Sequence, residues 1–400
     1  MKTKLKLISI LVIFFLFVVS CTKTKITEKA KWRGEIEYQN GVKVVKNPGE
    51  PVYGEILLDL EEDLSIGRED DDNYVFYQVS NIDVDDQGNI YVLEGGNCRL
   101  QKFDRTGQYL QTIGKKGQGP GEFESPSRLF LDKENNIYVS EQRKRKIHMF
   151  NSKGEFVKSI LLSDTTTDFS VTPDENIFGV ASIRTEEESK RCVVKMDPKG
   201  EIIKNIAQFA DIKRVQRKGK EGMRMSFRIG HLYNQRLYFS PTVNNKHLYT
   251  HSSEYCLFQI NFEGNLELII KKEEPLHPIS QKEKNKIYEG FPDLIEKWPK
   301  GVVKEAVQFP SHRPYFNGIA TDDTGRIYVR RVKSVTYESE EAEFDIFSQE
   351  GYYLYKIKLP FTPEVIKNGY FYDHYSSEET GEVKIKRYKV KNWKQIIEGI

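Results

Sequence analysis

Histidine is the first residue type to consider for chemistry in this chain, because a neutral imidazole ligates metals and titrates near neutral pH. The chain has seven: His148, His231, His247, His251, His277, His312 and His374. A metal centre needs such side chains to converge from distant parts of the chain. His231 and His312 are the better candidates, because each precedes a predicted inner strand. We nevertheless expect no metal ligands and no catalytic residues.

Other motifs with catalytic potential have a structural interpretation. Asp83–Asn89 lacks the spacing of a calcium loop and is better read as a hairpin turn. The glycines of Gly114–Pro126 lack the preceding strand and following helix of a phosphate-binding loop. No Gly-x-Ser-x-Gly elbow occurs in the sequence. The sequence therefore favours binding over catalysis.

A binding site would use basic and aromatic side chains on one end of the fold. The candidates are Arg128, His231, His312, Arg313, Tyr315 and Arg330. With 61 basic and 59 acidic residues the net charge is only +2, so we expect no nucleic-acid partner.

These candidates depend on a repeated unit that must position them. Ser80–Glu94 is matched about 47 residues later by Ser127–Glu141, and both contain the letters Asn-Ile-Tyr-Val. Apolar residues alternate on either side of an Asp- and Gly-rich turn, which indicates short antiparallel strands. Units of this size cannot bury their apolar faces alone and must stack in a ring.

Five stretches share the second turn of the repeat, and a sixth copy is incomplete. The turns begin at Asp104, Asn151, Asp197, Asn261 and Ser348, and each ends in glycine three residues later. We expect the N-terminal run Glu55–Leu60 to supply the missing strand of the last copy, because closure removes exposed sheet edges. The sequence predicts an all-β, six-bladed β-propeller.

One segment breaks the repeat, at about residues 275–312. Its composition between Ile279 and Glu289, and again over 292–298, favours helix, with Ser280 as a plausible N-cap. We expect a small helical insert between blades 4 and 5.

The N-terminus is predicted to lie outside the propeller. Residues 1–20 combine three lysines with an apolar run too short to span a bilayer, which is typical of a signal peptide. Cys21 follows Val-Val-Ser, so the stretch resembles a lipobox with Cys21 as the lipidated residue. We expect a polar tether over 21–50 and one propeller domain over 51–400.

Gly114–Pro126 resembles the inter-blade linker of NHL-repeat proteins, and Ile82–Asp104 resembles the body of that repeat. The full layout is similar to six-bladed propeller lipoproteins of Bacteroides-like bacteria. The resemblance implies a lipid-anchored envelope protein, on either side of the outer membrane. Some NHL-like propellers are lyases or lactonases with a metal on the ring axis, which keeps axial calcium or zinc as an alternative.

We therefore predict a non-catalytic, monomeric binding or scaffold module for a protein or glycan partner. The alternative is a metal-dependent hydrolase or lyase with its active site on the propeller axis. The predicted inner strands place Asn81, Arg128 and Asn317 towards that axis but few acids, which favours binding.

Overall fold

The structure is a computed structural model that describes residues 31–68, 70–184, 189–212, 215–218, 224–227, 229–292, 303–304 and 306–394. Cys21, the predicted signal peptide and nearly all of the second predicted helix, 292–298, lie outside the described residues. Residues Trp32–Ile400 form one compact unit, and every strand given below lies within it.

The strands are grouped in sheets along the chain. Four strands precede the first blade: β1 (Glu35–Gln39), β2 (Val42–Asn47), β3 (Glu55–Ile56) and β4 (Leu60–Ile66). Blade 1 contains β5 (Val79–Val84), β6 (Ile90–Glu94), β7 (Arg99–Phe103) and β8 (Tyr109–Ile113). Blade 2 contains β9 (Arg128–Leu131), β10 (Ile137–Glu141), β11 (Lys146–Phe150) and β12 (Phe156–Leu161). Blade 3 contains β13 (Thr166–Val171), β14 (Ile177–Arg184), β15 (Ser189–Met196) and β16 (Ile202–Ala210).

The second half of the ring follows the same plan. A separate hairpin, β17 (Val215–Lys218) and β18 (Arg224–Phe227), precedes blade 4. Blade 4 contains β19 (Leu237–Thr242), β20 (Lys246–His251), β21 (Cys256–Ile260) and β22 (Leu266–Lys272). Blade 5 contains β23 (Phe316–Thr321), β24 (Ile327–Arg331), β25 (Ala342–Phe347) and β26 (Tyr353–Leu359). Blade 6 contains β27 (Val365–Lys367), β28 (Tyr370–Ser376) and β29 (Val383–Val390), and its fourth strand is β4.

The six sheets form a closed ring, because the innermost strands β5, β9, β13, β19, β23 and β27 contact one another in that order and β27 returns to β5. The fold is therefore a six-bladed β-propeller, as predicted. Its core lies between the blades. For example, Ile147 of blade 2 and Ile177 of blade 3 are both fully buried in one shared apolar cluster.

Closure by an N-terminal strand is confirmed, but the predicted bounds were wrong. The strand that completes blade 6 is β4, antiparallel to β29, whereas Glu55–Ile56 pairs in parallel with β26 of blade 5. Leu58 lies between these two strands and is buried in the core shared by blades 5 and 6. The chain must therefore change blades at this residue.

The segment predicted as a tether up to residue 50 contains an ordered hairpin. Strands β1 and β2 pair with each other, and β2 adds in parallel to β22 at the outer edge of blade 4. The Asn47 side chain is buried there, donates to the Gly351 carbonyl at 2.9 Å and accepts from the Tyr353 amide at 2.8 Å.

The repeated aspartates are turn residues, which supports the structural interpretation of Asp83–Asn89. Asp85 accepts hydrogen bonds from the Gln87 and Asn89 amides at 3.0 and 2.8 Å and from the Tyr91 hydroxyl at 3.2 Å. Asp132 and Asp322 make the matching contacts in blades 2 and 5. These carboxylate oxygens are already used by the hairpins.

Helix α1 (Gln281–Glu289) lies between β22 and β23, where the insert was predicted. Ser280 is its N-cap residue. The Ser280 side chain accepts a hydrogen bond from the Glu283 amide, and the Glu283 carboxylate accepts one from the Ser280 amide, so the capping box is complete. In the part of the chain that the structure describes, short 3-10 helices lie at Gln142–Lys144 and Val243–Asn245. Among the described residues, we find no helix with the length and apolar character needed to cross a membrane.

Candidate functional site

A pocket of about 300 Å³, here called the axial pocket, lies on the ring axis. Each of the six inner strands contributes residues to its lining, as expected for a propeller, and Glu364 lies just before β27. Its polar lining residues are Asn81, Asp83, Arg128, Asp168, Ser240, Thr321 and Glu364.

Most of these polar groups connect neighbouring blades. Asn81 and Asp83 of blade 1 accept hydrogen bonds from the Leu129 and Leu131 amides of blade 2, at 2.9 and 3.0 Å. Arg128 pairs with Asp168 of blade 3 at 3.1 Å. Burial raises the pKa of Asp83 to about 6 despite these amide contacts. The axial polar groups therefore hold the ring together.

Two of the sequence expectations for the axis need correction. The axial pocket contains three acids, Asp83, Asp168 and Glu364, whereas few inward acids were expected. Asn317 does not line the pocket, and its Oδ1 atom is buried with no hydrogen-bond partner among the described residues. The register of β23 shifts between Phe316 and Gly318, which redirects the Asn317 side chain, and the repeat pattern does not contain that detail.

A second pocket of about 300 Å³ lies beside the helical insert, where β23 begins and β24 ends. We call it the end-face pocket. Its side chains are both aromatic and charged: Glu274, His277, Arg313, Pro314, Tyr315, Arg331, Val332, Lys333, Ser334, Tyr337 and Glu343.

A buried ion network forms one wall of the end-face pocket. Lys272 Nζ lies 2.5 Å from a Glu274 carboxylate oxygen and 3.0 Å from Asp345 Oδ2. Arg331 pairs with Glu274 at 2.7 Å and with Asp345 at 3.4 Å. Burial opposes ionisation of Asp345, but Lys272 and Arg331 outweigh it and lower the pKa of that carboxyl. The Tyr255 hydroxyl also donates to Asp345, at 2.5 Å. This network fixes the position of Arg331.

The opposite wall is held by helix α1. Glu283 accepts hydrogen bonds from the hydroxyls of Tyr233 and Ser334, each at 2.7 Å. Burial opposes ionisation of Glu283, but these bonds and the helix cap lower its pKa to about 2. Arg313 lies near this carboxylate, with Nε 3.6 Å from its oxygen, and Nε makes no hydrogen bond within the described part of the chain. Arg313 and Glu283 therefore form a mostly buried ion pair at this wall.

The charges around the end-face pocket balance. Four acids, Glu274, Glu283, Glu343 and Asp345, lie within 4 Å of four bases, Lys272, Arg313, Arg331 and Lys333. Tyr337 is 62% exposed, and the Lys333 ammonium lies 5.5 Å from its ring centroid. Such a pocket suits a neutral polar ligand that stacks on an aromatic ring and accepts hydrogen bonds.

The structure separates the six predicted binding residues. Arg313 and Tyr315 line the end-face pocket, and the His312 ring lies 5.5 Å from the Tyr315 ring. His231 is buried beneath the insert, where Nε2 contacts the Gln308 carbonyl at 2.9 Å, and burial lowers its pKa. Arg128 lines the axial pocket instead.

Arg330 lies on β24 opposite Gly318 and is partly buried, so it lines neither pocket. The loop between β24 and β25 contributes Lys333, Ser334 and Tyr337, which were not predicted from the sequence. The length of that loop compared with its counterpart in blade 1 is the one signal that could have indicated them.

The fold of this chain is similar to that of many solved structures. A search of curated proteins found no match. A Bacteroides fragilis crystal structure, of a protein classed as exported, is similar at 13% identity with a TM-score of 0.54, and the match covers 87% of this chain and 99% of that one. A DUF4221 protein of Bacteroides vulgatus matches at 10% identity and a TM-score of 0.48, over 84% and 98% of the two chains. The virginiamycin B lyase of Staphylococcus aureus matches at 11% identity and a TM-score of 0.40, over 83% and 99%.

The similarity to the exported Bacteroides fragilis protein supports the propeller fold and nothing finer, given its low identity. A family model described as a domain of unknown function, DUF4934, matches residues 69–399, which include all six blades except the closing strand β4. The chain therefore belongs to the DUF4934 family.

Proposed function

We propose that this propeller is a non-catalytic binding module of the cell envelope and that its end-face pocket binds a glycan. The observation that carries the proposal is the combination of an exposed aromatic ring, Tyr337, with the charged donors Arg331 and Lys333 in a charge-balanced pocket. Sugar rings stack on aromatic faces and accept hydrogen bonds without adding charge. A volume of about 300 Å³ is at the small end for ligand pockets, so one or two sugar units are expected to enter.

The rigidity of the walls supports the same function. The ion network of Asp345 and the cap of helix α1 hold both sides of the pocket in one arrangement. A preformed site avoids the ordering cost of binding. The axial alternative, a metal-dependent hydrolase or lyase, is less favoured because Asn81, Asp83 and Arg128 already connect blades.

The test is a glycan array probed with residues 32–400, followed by calorimetry on the best ligand. We expect Tyr337→Ala to weaken binding at least tenfold. Tyr38→Ala is the matched control, since Tyr38 is 72% exposed on β1 and is expected to have no effect. The glycan assignment fails if no sugar binds. It also fails if Tyr337→Ala binds the sugar as well as the unaltered protein does.

We also infer that Cys21 carries a lipid that anchors the protein to the outer membrane. The signal-peptide-like residues 1–20 and the lipobox-like sequence before Cys21 support an exported lipoprotein. Metabolic labelling with a palmitate analogue is expected to mark the full chain but not Cys21→Ala. Cys98→Ala is the control and keeps the label, because Cys98 is buried in the propeller. Labelling of Cys21→Ala would refute lipidation at this position, and labelled protein in the inner-membrane fraction would refute the outer-membrane address.

A further inference from the structure

The hairpin of β27 and β28 brings together two carboxylates and an imidazole. Its tight turn is Asn368-Gly369, with φ values of 56° and 77°, and the register pairs Val365 with Tyr372. Glu364 directly precedes β27, and Asp373 and His374 follow Tyr372 on β28. One potential ligand atom from each of these three side chains lies within 4.8 Å of the other two.

The charge of this group is not balanced by the protein. All three residues are partly buried, and within the described ranges no lysine or arginine nitrogen lies within 4 Å of Glu364 or Asp373. The nearby Lys386 and Lys384 pair with Glu62 and Glu382 instead, at 3.0 and 3.1 Å. Two carboxylates therefore share a partly buried space with only His374 as an ion partner. Such an arrangement favours a bound cation.

One of the three residues lies at the ring axis. Glu364 also lines the axial pocket, which is large enough to hold several water molecules. A cation at Glu364 can thus enter through this pocket and complete its coordination with water.

We propose that Glu364, Asp373 and His374 bind one divalent transition-metal cation, with Zn²⁺ as the preferred ion, in the wall of the axial pocket. The donor set of one imidazole nitrogen and two carboxylate oxygens suits Zn²⁺. Calcium takes six to eight oxygen ligands and magnesium keeps most of its waters, so neither matches a site with a nitrogen donor. This site is independent of the end-face pocket and involves different blades.

The test is calorimetry and equilibrium dialysis of residues 32–400 with ZnCl₂, after removal of metals with a chelator. We expect one Zn²⁺ per chain. Glu364→Gln, Asp373→Asn and His374→Ala are each expected to weaken binding at least tenfold. His277→Ala is the matched control, because His277 lies 3.6 Å from Glu274 in a similar His–carboxylate pair that has no second free acid. This control is expected to bind Zn²⁺ as the unaltered protein does.

Folding of each variant is checked by its melting temperature without metal. A second readout is the visible spectrum with Co²⁺, in which His374→Ala is expected to shift the absorption bands because a nitrogen ligand is lost. Three results would overturn the proposal: no stoichiometric Zn²⁺, equal binding by the three variants, or binding of Ca²⁺ in preference to Zn²⁺. Failure here leaves the glycan proposal untouched, since that test requires no metal.

Discussion

Replacement of Lys272 by methionine tests whether the buried ion network stabilises the propeller. The Lys272 side chain is fully buried, between Glu274 and Asp345 and near the rings of Tyr255 and Tyr353. Methionine keeps the apolar contacts but removes the charge, which leaves the fully buried Asp345 with Arg331 and the two tyrosine hydroxyls. Breaking a buried pair costs about 3–5 kcal/mol, and we expect about 3 kcal/mol because Arg331 remains.

The assay is thermal unfolding of residues 32–400. An unfolding entropy of about 2.1 cal/mol/K per residue gives about 0.8 kcal/mol/K for this unit, so the expected decrease in Tm is about 4 °C. Lys358→Met is the control, since Lys358 forms an exposed pair with Glu55, and no measurable change is expected. Adding Asp345→Asn to Lys272→Met should cost less than the sum of the single changes. A Tm for Lys272→Met within 1 °C of the unaltered protein would refute the reasoning.

Three further experiments test other parts of the structure. Burial raises the pKa of Asp83 to about 6, so its carboxyl loses its proton between pH 4 and pH 7, and this costs folding free energy. The stability of Asp83→Asn relative to the unaltered protein should therefore increase by up to ~3 kcal/mol over this pH range. A difference in urea unfolding that does not change with pH would contradict this. Burial raises the pKa of all three cysteine thiols, Cys98, Cys192 and Cys256, and that of Cys256 to about 12. We therefore expect them to react with a thiol reagent at pH 8 only after the protein is unfolded in urea. A thiol that reacts in the native protein would show that a blade opens. A chain that begins at residue 68 should aggregate because β29 loses β4, whereas one that begins at residue 32 and keeps β1 to β4 should stay soluble. Light scattering distinguishes the two, and equal solubility would mean that the N-terminal strands are dispensable.

The blades could be predicted because the hydrogen bonds that form each hairpin turn join residues close together in the sequence. Asp85 and Asp132 cap their hairpins through amides two and four residues later, so the same letters give the same turn wherever they occur. The role of the N-terminal strands follows from distant partners instead. Strand β2 pairs with β22, and β4 pairs with β29, across most of the chain. Local propensity contains no information on which edge such a strand will join.

In the candidate sites, too, side-chain contacts between distant parts of the chain could not be predicted from the sequence. Arg313 and Tyr315 could be selected as basic and aromatic residues for one end of the fold, but the contact of Arg313 with Glu283 depends on how helix α1 packs. In the hairpin of blade 6, by contrast, a real signal was present. A two-residue Asn368-Gly369 turn fixes the register of its strands, and counting back from it puts Glu364 opposite Asp373. Like charges directly opposite are destabilising unless something lies between them, and that conflict is the physical reason to look for a cation there.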